Sequence, residues 1–112
     1  MVVRIKYNAH KRIEKPVFGV AIHRNDGIRI SGPNTKFHNQ IIEFLEGEGK
    51  VEYIIDSLPL LKGMYLLSAA IYDYALTYPY DYYDKRFTFK VTKGVDGYGL
   101  IDIPCKWRWK NG

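Results

Sequence analysis

A proline and a glycine four positions apart, Pro59 and Gly63, stand immediately before the longest predominantly apolar run in the chain, Met64-Tyr-Leu-Leu-Ser-Ala-Ala-Ile-Tyr72. Neither residue sits cheaply inside a regular element, so the chain turns there. Beyond the turn the residues alternate at period two, with Tyr65, Leu67, Ala69 and Ile71 on one face, the signature of a strand that covers a core. Tyr65, two residues before Leu67 at the mouth of this strand, has the position of a tyrosine corner: ring packed inward, hydroxyl bonded to backbone upstream of the turn. The stretch predicts an all-β fold, an immunoglobulin-like antiparallel β-sandwich of about seven or eight strands.

The rest of the chain supplies strands to lay around it. Val3, Ile5 and Tyr7 alternate with Arg4, Lys6 and Asn8 in an opening strand, followed by a basic loop over 9–15. Phe18, Val20 and Ile22 form one face of a second strand. Asn25-Asp-Gly27 tolerates positive φ and predicts a hairpin into Ile28 and Ile30. Residues 36–47 read as a loop with some helical character, and Gly47-Glu-Gly49 as a break before a strand through Val51, Tyr53 and Ile55. After Tyr72 comes a tyrosine-rich loop to Asp84, then a strand with Phe87, Phe89 and Val91 inward and Arg86, Thr88 and Lys90 outward. Gly94, Gly97 and Gly99 turn the chain into a closing strand over 100–109, with Ile101, Ile103, Cys105, Trp107 and Trp109 on one face. Pro104 denies that strand a ladder donor, which places it at a sheet edge or in exchange with a partner chain.

A length of 112 residues predicts one domain, 1–112, and 46% hydrophobic with 15% aromatic residues predicts a globular one. The net charge of +5, from 17 Lys and Arg against 12 Asp and Glu, steers anionic partners without specifying nucleic acid. No basic block, zinc-finger spacing or RNA-binding motif occurs, so nucleic acid is not an expected partner. The single Cys105 precludes an intrachain disulfide and alternates as a packed core thiol. No run approaches the roughly 20 apolar residues that span a bilayer, and the N-terminus lacks signal-peptide character, so the expected location is cytoplasmic.

Six tyrosines and three aspartates crowd the stretch from 72 to 84: Tyr72, Asp73, Tyr74, Tyr78, Tyr80, Asp81, Tyr82, Tyr83 and Asp84. Pyranose faces present C–H groups that stack on aromatic rings, and carboxylates accept from the flanking hydroxyls, so this composition points to carbohydrate. The competing reading is a tyrosine-rich loop packed on its own domain. His23 and Arg86 are further candidates on an outer face, with a solvated strand end as the plainer account of His23. His10 and His38 stand alone, no metal-ligand spacing occurs and no cofactor is expected. No nucleophile elbow, metal-binding helix motif or assignable carboxylate pair supports catalysis. Trp107 and Trp109 read as core or dimer-interface residues.

Taken together, Pro16-Val-Phe-Gly-Val-Ala-Ile22 with the Asp26-Gly27 turn, Gly32-Pro-Asn-Thr35, Leu58-Pro-Leu-Leu-Lys-Gly-Met-Tyr-Leu-Leu-Ser-Ala-Ala-Ile-Tyr-Asp73, Tyr82-Tyr-Asp-Lys-Arg-Phe87 and Gly97-Tyr-Gly-Leu-Ile-Asp-Ile-Pro-Cys-Lys-Trp107 span nearly the whole chain. In this order they resemble the C-terminal carbohydrate-binding domain of Wzt, the ATP-binding subunit of ABC transporters that export O-antigen polysaccharides. The resemblance implies a β-sandwich that binds the O-antigen glycan, often at its modified non-reducing end, and a homodimer with the last strand exchanged. It also implies a membrane transporter as partner of the full-length protein. No Gly-x-x-x-x-Gly-Lys-[Ser/Thr] is present, so this chain is not the ATPase, and the reading is of a domain excised from a longer chain with an N-terminal ATPase domain. The alternative is a structural or protein-interaction sandwich that mediates assembly and binds no sugar.

Overall fold

The computed structural model describes residues 1–94 and 96–110 and contains six strands among them. They are β1 (Val2–Glu14), β2 (Val17–Arg24), β3 (Arg29–Ser31), β4 (Phe44–Ile54), β5 (Gly63–Tyr72) and β6 (Pro79–Val91). All pairings are antiparallel: β1 with β4 in one sheet, and the order β3-β2-β5-β6 in the other. The apolar rows predicted from alternation meet between the sheets. Phe18 packs with Ala9 and Leu45 toward one end, and Ile22, Leu60 and Tyr65 pack with Leu67 and Phe89 toward the other. The tyrosine corner is formed, with the Tyr65 hydroxyl donating to the Leu61 carbonyl at 2.6 Å.

Several boundaries differ from the sequence expectation, each for a local reason. Residues 9–14 are not a loop but the continuation of β1, which passes a bulge where Ala9 pairs Gly47 and Ile13 pairs Leu45. Gly47 and Gly49 therefore lie inside β4 rather than breaking the chain before it. Gly47 supplies positive φ (72°) at the bulge, and Gly49 leaves the space that the Tyr7 ring occupies. Segment 36–43 holds no helix: one turn closes with His38 N–H on the Asn34 carbonyl, and Asn34 Oδ1 accepts from Phe37 N–H. Just before it, Val20 N–H bonds the Pro33 carbonyl and Thr35 N–H the Phe18 carbonyl, so this segment completes the β2 edge where β3 stops. The tyrosine-rich stretch is mostly strand, because β6 begins at Pro79 and only residues 73–78 form the turn.

The closing strand over 100–109 is not formed. Ile101 makes a single bridge to Leu60, fixed by Leu61 N–H to the Leu100 carbonyl and Asp102 N–H to the Pro59 carbonyl, both at 2.9 Å. Pro104 follows at once without an N–H to extend the ladder. Trp107 and Trp109 are then 89% and 85% exposed, and Cys105 is an exposed thiol, not a core one. The strand count falls short of seven or eight for this reason. Between β1 and β6, each of which carries a ladder on one edge only among the described residues, an apolar opening of about 400 Å³ is lined by Val3, Ile5, Leu67, Phe87 and Phe89 among others.

Candidate functional site

Strand alternation sorts the tyrosine-rich candidates onto two faces. Tyr83 pairs Ala69, in the row that turns toward the core, and its ring meets Phe87 edge-on while the Arg86 guanidinium lies 4.9 Å from its centroid. Asp81 pairs Ile71 in the same row. Tyr82 pairs Ala70 and faces the other way, where its ring meets Tyr72 edge-to-face at 6.2 Å. Tyr72 and Tyr82 thus stand together on the outer face of the four-stranded sheet.

They close one end of a shallow trough of about 160 Å³. Its floor is made of small side chains of the two central strands, Gly19, Ala21, Ser68 and Ala70, set between taller neighbours. Arg29 from β3, Asn34 from the following segment and Leu76 from the 73–78 turn complete the walls. Apolar ring faces beside amide, hydroxyl and guanidinium donors are what a polyol needs from a protein.

The 73–78 turn is built by its aspartate. The Asp73 carboxylate accepts from the backbone N–H groups of Thr77 and Tyr78 and from the Thr77 hydroxyl, at 2.8–3.0 Å. The Tyr78 N–H first, and the Thr77 donors after it, hold this carboxyl below the usual range. Asp73 is therefore committed to shaping the turn. Tyr74, on the same turn, lies under the ammonium groups of Lys36 (4.2 Å) and Lys15 (5.5 Å). Tyr78 and Tyr80 contact each other edge-on at 5.4 Å on the exposed surface.

At the other end of the trough His23 is buried, 2% exposed, and is no solvated strand end. Its Nε2 lies 2.9 Å from Ser68 Oγ, which also accepts the Lys85 N–H at 2.7 Å and lies 3.4 Å from Asp84 Oδ1. Nδ1 is buried without a hydrogen-bond partner among the described residues. An unpaired acceptor costs less here than an unpaired N–H, and Asp84 offers an outlet for the serine proton, so the network favours the tautomer protonated at Nε2. Burial first, then the charges of Lys85 and Arg29, push the imidazole pKa down, while Asp84 and the nearby Gly27 backbone pull the other way. Burial, followed by the charge on Asp84, also raises the Tyr82 phenol, whose hydroxyl stands 3.5 Å from Asp84 Oδ1. The Ser68–His23 pair has the look of a nucleophile and its base. Yet Ser68 is 4% exposed, and its oxygen serves the bulge where Asp84, Lys85 and Arg86 oppose one residue of β5.

Of the residues singled out from sequence, the trough gathers Tyr72 and Tyr82, with His23 and Asp84 in the network beside it. It does not gather Tyr83, Asp81 or Arg86, and Tyr74, Tyr78 and Tyr80 stand on the adjoining surface. Arg29, Asn34, Ser68 and the small floor residues were not singled out. The alternation of Gly19 and Ala21 with large apolar residues, and the one serine, Ser68, inside the run 64–72, were the available signals. Among the described residues no cluster of three or more His, Cys, Asp or Glu is arranged to hold a metal ion, and no helix is long and apolar enough to cross a membrane.

Comparison with known proteins gives the same fold. A solved structure described as the C-terminal domain of wzt superposes with a TM-score of 0.85 at 23% sequence identity, over 97% of this chain and 69% of that one. No curated protein sequence matches. The sequence model of the Wzt C-terminal domain covers residues 1–103, which hold all six strands of the sandwich, and on that match the chain belongs to the Wzt C-terminal domain family, a non-catalytic domain separate from the transporter's ATPase.

Proposed function

We propose that the chain binds the O-antigen glycan in the outer-face trough, through its modified non-reducing end. Family membership supports a carbohydrate-binding role in O-antigen transport in general. The observation that carries the finer reading is the edge-to-face pair Tyr72–Tyr82 standing over a floor of Gly19, Ala21, Ser68 and Ala70. A trough of about 160 Å³, closed at one end by two rings, suits a chain terminus better than a run of sugars passing through. Tyr72 and Tyr82 supply stacking faces, Asn34 and Arg29 reach the ring hydroxyls and substituents, and the rigid central strands hold them in place.

In this reading the domain is one part of a longer protein with an N-terminal ATPase domain, working with a membrane transporter subunit on the cytoplasmic side. It acts as a homodimer, the exposed segment 103–110 pairing with a second copy. Titration calorimetry with the cognate O-antigen tests the site. Loss of one stacked ring should cost about 0.5–1.5 kcal/mol, and Tyr72→Ala/Tyr82→Ala should weaken binding more than either single change. Unchanged affinity in the folded double variant would move the search to the Tyr78–Tyr80 surface.

A further inference from the structure

Ser68 lines the trough, yet its hydroxyl has nothing left to offer a ligand. With the His23 imidazole protonated at Nε2, that N–H and the Lys85 backbone N–H, at 2.9 and 2.7 Å, fill both lone pairs of Oγ. The serine proton is then directed to Asp84 Oδ1, 3.4 Å away. The same carboxylate oxygen lies 3.5 Å from the Tyr82 hydroxyl, and its neighbour Oδ2 lies 3.7 Å from the Lys85 ammonium. A buried imidazole on β2, a buried hydroxyl on β5 and a carboxylate on β6 thus form a chain with one direction, from the core to one of the two rings at the end of the trough. The backbone is strained at the same place. Lys85 has a φ of 51°, the left-handed region that a residue with a Cβ enters at a cost, in the bulge where Asp84, Lys85 and Arg86 pass Ser68. Such strain persists only where the surroundings over-determine it. A serine that served only to satisfy the Lys85 N–H would need no histidine behind it, buried with Nδ1 left without a partner among the described residues.

We infer that His23, Ser68 and Asp84 are positioning residues: together they fix the carboxylate against which the Tyr82 phenol is set, and so the angle at which its ring meets Tyr72. The two rings stand edge to face, 82° apart in plane at 6.2 Å between centroids, an arrangement that depends on the Tyr82 rotamer. Donation from His23 polarises the serine O–H toward Asp84, and the members of such a chain strengthen one another. The chain of donors needs no ligand to form. Only its use, to present the Tyr82 face to a sugar, rests on the trough being the glycan site.

The test is NMR of the whole chain without any sugar. In the wild type at neutral pH the His23 ring nitrogens should show the tautomer protonated at Nε2; protonation at Nδ1 would reverse the donation to Ser68 and overturn the inference. With tyrosine labelled at Cζ, the Tyr82 phenol should titrate above its ordinary value, for burial first and the Asp84 charge second. Asp84→Asn removes only the second cause, so the Tyr82 titration should move down and remain above the ordinary value. Ser68→Ala should displace the ring signals of Tyr82 and Tyr72 and leave those of Tyr65 and Phe89, in the core between the sheets, in place. His23→Gln, whose amide can donate in place of Nε2, should keep the wild-type Tyr82 signals, and His23→Leu should lose them. An unmoved Tyr82 titration in Asp84→Asn, unmoved rings in Ser68→Ala, or two His23 variants that behave alike would each overturn the inference. Should Ser68→Ala fail to fold, the wild-type tautomer and the variant at Asp84, a half-exposed side chain, still decide it. Because no sugar is added, these results stand apart from the calorimetry that tests the glycan site.

Discussion

Tyr65 stands where the Pro59–Gly63 turn meets the apolar alternation of β5, a place that takes a ring with a polar tip. It is 3% exposed, stacked on Phe89 at 5.5 Å, with its hydroxyl on the Leu61 carbonyl. Tyr65→Phe should lower the unfolding free energy by about 1–2 kcal/mol, the cost of one buried hydrogen bond and its orphaned carbonyl, seen as a lower urea midpoint with unchanged glycan affinity. An unchanged midpoint would remove the corner from the list of stabilising contacts. His23 was not legible, since nothing in its local sequence announces that the 25–28 hairpin and Lys85 close over it. Its pKa is lower in the fold than in the unfolded chain, so below about pH 6.5 the unfolded state binds more protons. The His23 contribution to stability is therefore complete above that pH and is lost as the pH falls toward the folded-state value. Urea midpoints should decline across that window in the wild type and decline less in His23→Gln; equal slopes would show that burial, with the charges of Lys85 and Arg29, does not hold the imidazole neutral.

Elements were read well where one face is apolar and poorly where a strand is polar on both sides. β2 and β5 emerged with nearly their observed bounds, whereas β6 was cut short because Asp81, Asp84 and Lys85 interrupt it. Tyr78, Tyr80 and Tyr82 already recur at period two, which is the strand signal that composition obscured. The consequence for function is direct: a loop would present all six rings together, and a strand divides them between faces. Glycines misled for a related reason. Gly49 reads as a breaker, but its missing Cβ admits the Tyr7 ring, which packs on Phe18 at 6.0 Å and so ties β1 to β2. Gly49→Ala should force that ring out and destabilise by about 1–3 kcal/mol, as overpacking does. Tyr7→Ala/Gly49→Ala, with the ring gone, should show little further loss beyond Tyr7→Ala alone in a double-mutant cycle. Full additivity would mean that the glycine is needed for its backbone and not for space.

For the whole molecule the sequence indicated a closing strand and an edge, but not that the strand has no seat on its own chain. The Leu60–Ile101 bridge releases the chain outward, and the principal extents of 70 × 27 × 23 Å reflect a tail that leaves the sandwich. Segment 103–110 carries Ile103, Trp107 and Trp109 into solvent, while the sandwich keeps an apolar opening between two strand edges, β1 and β6, that pair on one side only. Exposed apolar segment and open apolar edge are complementary defects, and a two-fold exchange cures both at once in each protomer. The chain should therefore be a dimer by light scattering at micromolar concentration. Deletion of residues 103–112 should yield a monomer that keeps its circular dichroism, because none of the six strands is removed. The two tryptophans report on the same event: dilution below the dimer constant should move their emission to the red as the rings return to water. A wild type that stays monomeric at high micromolar concentration while its tryptophans emit as buried residues would show that the tail folds back onto its own chain, and the exchange would have to be given up.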